Sequence, residues 1–357
     1  MNEHDSESHV SADRTVSFEH STDFAGLLES LSQTLMITTY QAGKLVSIGA
    51  KDDQLDISFH NFKRPMGIAQ SADKSSFSVA SEDMIWHMQR ADSIANQLEP
   101  KQKYDSCYFA RSSSVTGDIQ AHEMAYCGDR LWVVNTLFSC LCTLDHKHSF
   151  VPVWRPKFIS QLAPEDRCHL NGVACVDGRP KYVTAMAQSD TAGGWREDKV
   201  NTGCLIDVDS GDAIVSGFAM PHSPRVHDGR IYLLDSGRGG LVQIDLNGQA
   251  ETIARFPGYT RGLAIHNKIA FVGLSRIREK SAFVGVPIAV DRERLKCGVA
   301  VVDLNRRQLL GQFEFQEGVS EIFDVSLLPN PGIVSIHGPY AERDGSRPVW
   351  VVPEPRS

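Results

Sequence analysis

His122, Asn171, His222, Arg261 and Glu321 stand at matching points of short, similar segments along the 357-residue chain. Two imidazoles and a carboxylate with an open position suit a divalent transition ion, and the amide oxygen of Asn171 completes such a shell. His122, His222, Asn171 and Glu321 are therefore candidate metal ligands. Without a metal, His122, His222, Glu321 and Arg261 support acid–base chemistry, an imidazole carrying the proton and the guanidinium stabilising negative charge. These candidate residues do not stand in HxH or HExxH spacing, so a hydrogen-bonded polar plug or a metal-free ligand site stays open as the plainer reading.

Further groups can recognise a ligand. Arg225 lies in MPHSPR and Arg276 in GLSRIRE, and clustered guanidinium groups favour a carboxylate or phosphate. The segment SDTAGGWRED, residues 189–198, joins two glycines to Trp195 and Arg196 and reads as a lid or rim. An exposed loop with one packed Trp is the alternative. Tyr40 and Gln41 in TTYQAG and Asn135 in VVNT add hydrogen-bonding groups. There is no GxSxG elbow, phosphate loop or dinucleotide fingerprint.

What positions these residues is a repeat. An apolar strand, a turn and a second strand rich in β-branched and aromatic residues recur from Met66, His122, Asn171, His222 and Arg261, and EIFDVSLLP from Glu321 starts a sixth copy. The starts are 39 to 60 residues apart, which suits four antiparallel strands plus loops. The expected fold is all-β, a six-bladed β-propeller. CLCTLDHKH, CLIDVDSGD, LVQIDLNGQ and VAVVDLNRR repeat as well, and place Asp145, Asp207, Asp245 and Asp303 in turns as backbone-binding carboxylates.

LMITTYQAGKLVSIG lacks a first strand before it, whereas Glu321 to Pro329 lacks strands after it. Pairing these N- and C-terminal segments closes the ring and hides a sheet edge. The expected organisation is a disordered lead-in over 1–24, the propeller over 25–329 and a tail packed outside over 330–357. In a blade the d-to-a and b-to-c loops share one face, and the long segments 97–121, 156–168, 188–202 and 275–296 are assigned to it. All six inner strands begin at that face, so Met66 and the five candidate residues converge on one channel mouth. A slip of register brings in Glu123, His169 or Asp324 instead.

Composition limits the function. Lys plus Arg number 36 against 44 Asp plus Glu, a net charge of −8 that disfavours nucleic acid and anionic membranes as partners. No apolar run spans a bilayer, and the polar start lacks a secretory signal, so a cytoplasmic location is expected. The eight cysteines show no zinc-like spacing and are expected to be reduced.

TTYQAGKLVSIG, RPMGIA, CHLNGVA, SDTAGGWRE, MPHSPR, TRGLA and SEIFDV resemble a bacterial conserved family of uncharacterised function, some of whose members occur with tetratricopeptide repeats. The resemblance spans roughly residues 25–330 and implies no established reaction. HLNGVACVDGRPKYVTA is more weakly similar to calcium-dependent lactonase propellers, in which an Asn-Gly strand start places the Asn on the metal. Only Asn171 matches, and His122 and His222 depart from the oxygen-rich shell that calcium prefers. Two functions are therefore expected: a propeller enzyme that hydrolyses, eliminates or isomerises a small anionic metabolite or modified peptide, or a non-catalytic propeller that binds a protein or peptide.

Overall fold

The computed structural model describes residues 15–245, 247–277, 283–330, 332–347 and 349–352. Their strands form six sheets that make a six-bladed propeller. The inner strands of blades two to six are Ile68–Gln70, Ala121–Cys127, Leu170–Val176, Pro221–His227 and Tyr259–His266. Each touches the next. Blade one takes its inner strand, Asp324–Pro329, from the C-terminal side and its other three, Gln33–Thr39, Lys44–Lys51 and Gln54–Asn61, from the N-terminal side. Thr38 pairs with Asp324 and Gln33 with Pro329, antiparallel. Asp324–Pro329 also meets Ile68–Gln70 and completes the ring.

The middle strands are covered by sheets on both faces, so their sequences are nearly continuous apolar runs. Gly298–Asp303 in blade six is buried from Gly298 through Val302. Between blades one and six, Leu35, Ile37, Val46 and Ile48 pack against Phe271, Val299, Val301 and Phe313. Each such side chain stabilises the fold by about 1.5–3 kcal/mol through removal of apolar surface from water. Asp177-Gly178 and Asp228-Gly229 link inner to second strands with positive φ at both residues (50° and 75°, 48° and 70°). Such paired left-handed turns match the strand twist across a two-residue link.

The repeated aspartates hold turns. Asp145 Oδ1 accepts from the amides of Lys147 and His148, Asp207 from Ser210, Asp245 from Asn247 and Gln249, and Asp303 from Asn305 and Arg306, all at 2.7–2.9 Å.

Several details differ from expectation. Ser17–His20, assigned to a disordered lead-in, pairs antiparallel with the outer strand of blade six, and Phe24–Ser30 is a helix whose Phe24 and Leu28 are buried. Residues 1–14 lie outside the described residues. In the tail, Val334–His337 pairs parallel with the outer strand of blade two, Ser106–Val115. Both additions cover sheet edges that are otherwise open to strand pairing. The long loop of blade two falls at 91–105, between its third and fourth strands. That turn belongs to the face opposite the expected one.

Cys127 and Cys175 form a disulfide, Cα atoms 5.7 Å apart, which corrects the expectation of eight free thiols. They lie at or near the ends of adjacent inner strands, within bridging distance. The other six cysteines are buried, and burial pushes Cys140, Cys168, Cys204 and Cys297 up to about 12, away from nucleophilic character. Among the described residues no helix is long and apolar enough to cross a membrane.

Candidate functional site

The inner strands bring side chains from all six blades to a cavity of about 470 Å³ at the mouth where those strands begin. His122 and His222 are the second residues of their strands, Arg261 is the third of its strand, and Phe323 directly precedes Asp324–Pro329. Gln120, His169 and Met220 each stand one residue before an inner strand, each has positive φ (53°, 50° and 55°), and each lines the cavity. A non-glycine residue in that region costs of order 1 kcal/mol or more and persists only where its surroundings hold it. Three consecutive blades therefore use one strained backbone device to turn a side chain inward.

His169 is the best-oriented polar group there. Its Nδ1–H donates to Asp166 Oδ1 at 2.8 Å, since a carboxylate can only accept. Asp166 Oδ2 also accepts from Trp195 Nε1 at 2.8 Å and faces the Arg196 guanidinium at 3.5 Å. His222 Nδ1 lies 2.9 Å from the Met220 carbonyl, which makes it a donor, and 3.0 Å from Ser236 Oγ. In the neutral form of either ring these bonds leave Nε2 as the acceptor. His122 touches both, with ring centroids 4.8 Å from His169 and 6.1 Å from His222. Its Nδ1 is buried without a hydrogen-bond partner. Burial first, and then the positive charge of Arg261, hold His122 and His222 well below the ordinary imidazole range, so both are neutral at pH 7.

Arg261 is 9% exposed. Its Cζ lies 3.3 Å from the centre of the Phe323 ring, and Nη1 faces Glu321 Oε1 at 3.7 Å. Burial lowers it to about 10, which leaves it cationic at neutral pH. Among the described residues the guanidinium makes no hydrogen bond.

One residue beyond His122, Glu123 enters a buried ionic layer. Arg225 Nη1 donates to Glu123 Oε1, its Nε donates to the Leu263 carbonyl at 2.8 Å, and Nη2 faces Asp324 at 4.0 Å. Asp324 accepts from the amides of Ile68 and Val325, both at 2.8 Å. Burial raises Glu123 to about 7 against the pull of Arg225, and also raises Asp324. A second cavity of about 310 Å³, lined by all six inner strands and by Arg225, lies on the far side of this layer.

Of the residues singled out in the sequence, His122, His222, Arg261, Glu321, Trp195, Arg196 and Tyr40 line the upper cavity. Asn171 does not: its Oδ1 accepts from Thr184 Oγ1 at 2.6 Å, which removes that oxygen from the expected metal shell and from the lactonase comparison. Arg225 is held in the ionic layer. Arg276 is tied to the carbonyls of Phe315 and Gln316, and Gln41 accepts from Ser320 at the exposed rim. Among the described residues no three His, Cys, Asp or Glu side chains are grouped to hold a metal ion. Asp166 escaped the sequence reading, and His169 entered it only as a neighbour of Asn171. The one available signal was Asp-x-x-His just before a strand.

A family model described as "Domain of unknown function (DUF4915)" matches residues 22–335. No curated protein matches the chain in sequence. A structure titled as a nidogen/laminin complex is similar over 83% of this chain and 98% of its own, with a TM-score of 0.52 and 9% identity. A protein of unknown function from Bacteroides caccae covers the same shares at 0.48 and 10%. An inactive virginiamycin B lyase from Staphylococcus aureus, with quinupristin, is matched over 67% of this chain and 73% of its own at 0.39 and 11%. These likenesses concern the fold alone.

Proposed function

The chain belongs to the DUF4915 family, and from the cavity it carries we propose that it binds a small anionic molecule at Arg261 and acts on it by proton transfer. The observation that carries this reading is a buried guanidinium with no hydrogen bond among the described residues, on the wall of a cavity that also holds an Asp-oriented imidazole. Its N–H groups have no hydrogen-bond acceptor among the described residues and open onto the cavity, which suits an anionic acceptor from outside. His169 Nε2 takes a proton next to the anionic group. Asp166 stabilises the imidazolium, Arg261 stabilises the negative charge that develops, and His169 returns the proton in an elimination or isomerisation. His122 and His222 stay neutral and accept hydrogen bonds from the ligand.

A metabolite extract incubated with wild type and with His169→Gln tests it. We expect at least one small acid to be consumed by wild type and its rate to fall by roughly 100-fold or more in the variant, with thermal unfolding unchanged. Identical extracts after exposure to both folded proteins would refute the enzyme reading and favour a non-catalytic binding propeller.

A further inference from the structure

The walls of the upper cavity speak to the body of the ligand as Arg261 speaks to its charge. Rings succeed one another without a gap: Tyr40 to Phe323 at 5.6 Å, Phe323 to His122 at 5.1 Å, and, beyond His122, His169 to Trp195 at 4.4 Å. A second arm runs from His222 to Tyr259 at 5.9 Å and on to Phe283 at 5.1 Å. Contacts along both arms are tilted or edge to face, the arrangement that ring quadrupoles prefer. The thioethers of Met66, Met186 and Met220 add to the apolar part of the lining, beside the polar rim of Arg64, Glu82, Asp118 and Gln120, and such side chains adapt to a flat or irregular apolar shape.

We propose, on the basis of the small-anion reading above, that the ligand is an aromatic carboxylate: a ring system held among these side chains, with its acid group on Arg261. Alternatives fit less well. An aliphatic diacid could reach Arg64 or Arg196 with its second carboxylate, but both guanidinium groups are more than half exposed and already face Glu82 and Asp166, and its chain would leave the ring faces uncovered. An aryl ammonium would find π faces and the rim carboxylates Glu82 and Asp118, but among the rings it would lie beside the Arg261 guanidinium, and the carboxylates nearest them, Glu321 and Asp166, already face guanidinium groups. About 470 Å³ is within the range of cavities that enclose a small organic molecule.

Binding of 1-naphthoate, adipate and phenyltrimethylammonium is measured by calorimetry on the full chain, with quenching of Trp195 fluorescence as a second signal. We expect 1-naphthoate to bind at least tenfold more tightly than adipate and the ammonium compound to show no binding. Arg261→Met should weaken 1-naphthoate at least tenfold, and Arg261→Lys should weaken it less. If Arg261→Met does not fold, the order of the three probes on wild type decides alone. Adipate binding as tightly as 1-naphthoate, binding of the ammonium compound, or binding of no probe would overturn the proposal. Because the readout is affinity, it is separable from the acid–base reading: tight 1-naphthoate binding without turnover in the extract removes the chemistry and keeps the ligand class. Turnover of an aliphatic acid does the reverse.

Discussion

His122 and His222 occupy places where an imidazolium is costly, buried beside one another and facing the charge of Arg261. The consequence for stability has a definite sign. A histidine whose folded value is depressed binds its proton more readily in the unfolded chain. The stability it contributes is complete above the ordinary value near 6.5 and is lost as pH falls below it. Each such residue makes stability decline by at most about 1.4 kcal/mol per pH unit below that point. We therefore expect the destabilisation caused by His222→Gln to be largest at pH 8 and to shrink between pH 6.5 and 5, as followed by urea unfolding of both proteins. A constant difference would mean that His222 is not held neutral. At this scale the repeat exposed His122, His222 and Arg261, because strand starts recur and so do the residues that occupy them. It misjudged Asn171, which has the position equivalent to the two histidines but a threonine within reach of its amide oxygen. It passed over Asp166 because the turn that joins it to His169 depends on positive φ at both residues (47° and 50°), and neither is a glycine that would announce it.

The loop 188–202 shows what an element adds beyond its residues. Its two glycines suggested a mobile lid, yet the Gly193 amide donates to the Glu165 carbonyl at 2.9 Å, and Trp195, 3% exposed, donates to Asp166. The same carboxylate that orients His169 therefore anchors the loop, so docking of the loop and alignment of the His169 ring are one event. Asp166→Ala should release both. We expect trypsin to cut after Arg196 or Lys199 several-fold faster in that variant while the propeller stays folded, and an unchanged rate would place the anchor elsewhere. Loop length was legible in the sequence, whereas loop face was only partly so. Segments 188–202 and 275–296 were placed on the right face, since each joins a second strand to a third. Segment 97–121 was not: 97–105 belongs to the turn on the opposite face, Ser106–Val115 is the outer strand, and only 116–120 lies on the expected face, since a long polar stretch carries no mark of which strand pair it joins.

Across the whole molecule, the number of blades and the closure by both chain ends were legible because each rests on many residues at once, and no single slip of register could erase them. The ionic layer ties that closure to the site. Asp324 begins the strand that shuts the ring, and it also neutralises part of the charge of Arg225 and Arg261. Removing one partner from a buried charge network typically costs about 3–5 kcal/mol. We expect Asp324→Ala to lower the free energy of unfolding by about that much in one cooperative denaturant transition, since no blade is left to unfold alone. A loss below about 1 kcal/mol would show that the layer is well solvated. The same strand sets a timetable for synthesis. The edge of Gln33–Thr39 leaves the ribosome early, and its partner Asp324–Pro329 follows roughly 290 residues later. At about 5–20 residues per second that is a wait of roughly 15–60 seconds. Until then the nascent protein presents an unpaired apolar edge and two guanidinium groups without their shared carboxylate. The cavity, its charge and the ring are thus finished together, near the end of translation, and a polypeptide stalled short of Asp324 holds five inner strands around an unfinished cavity.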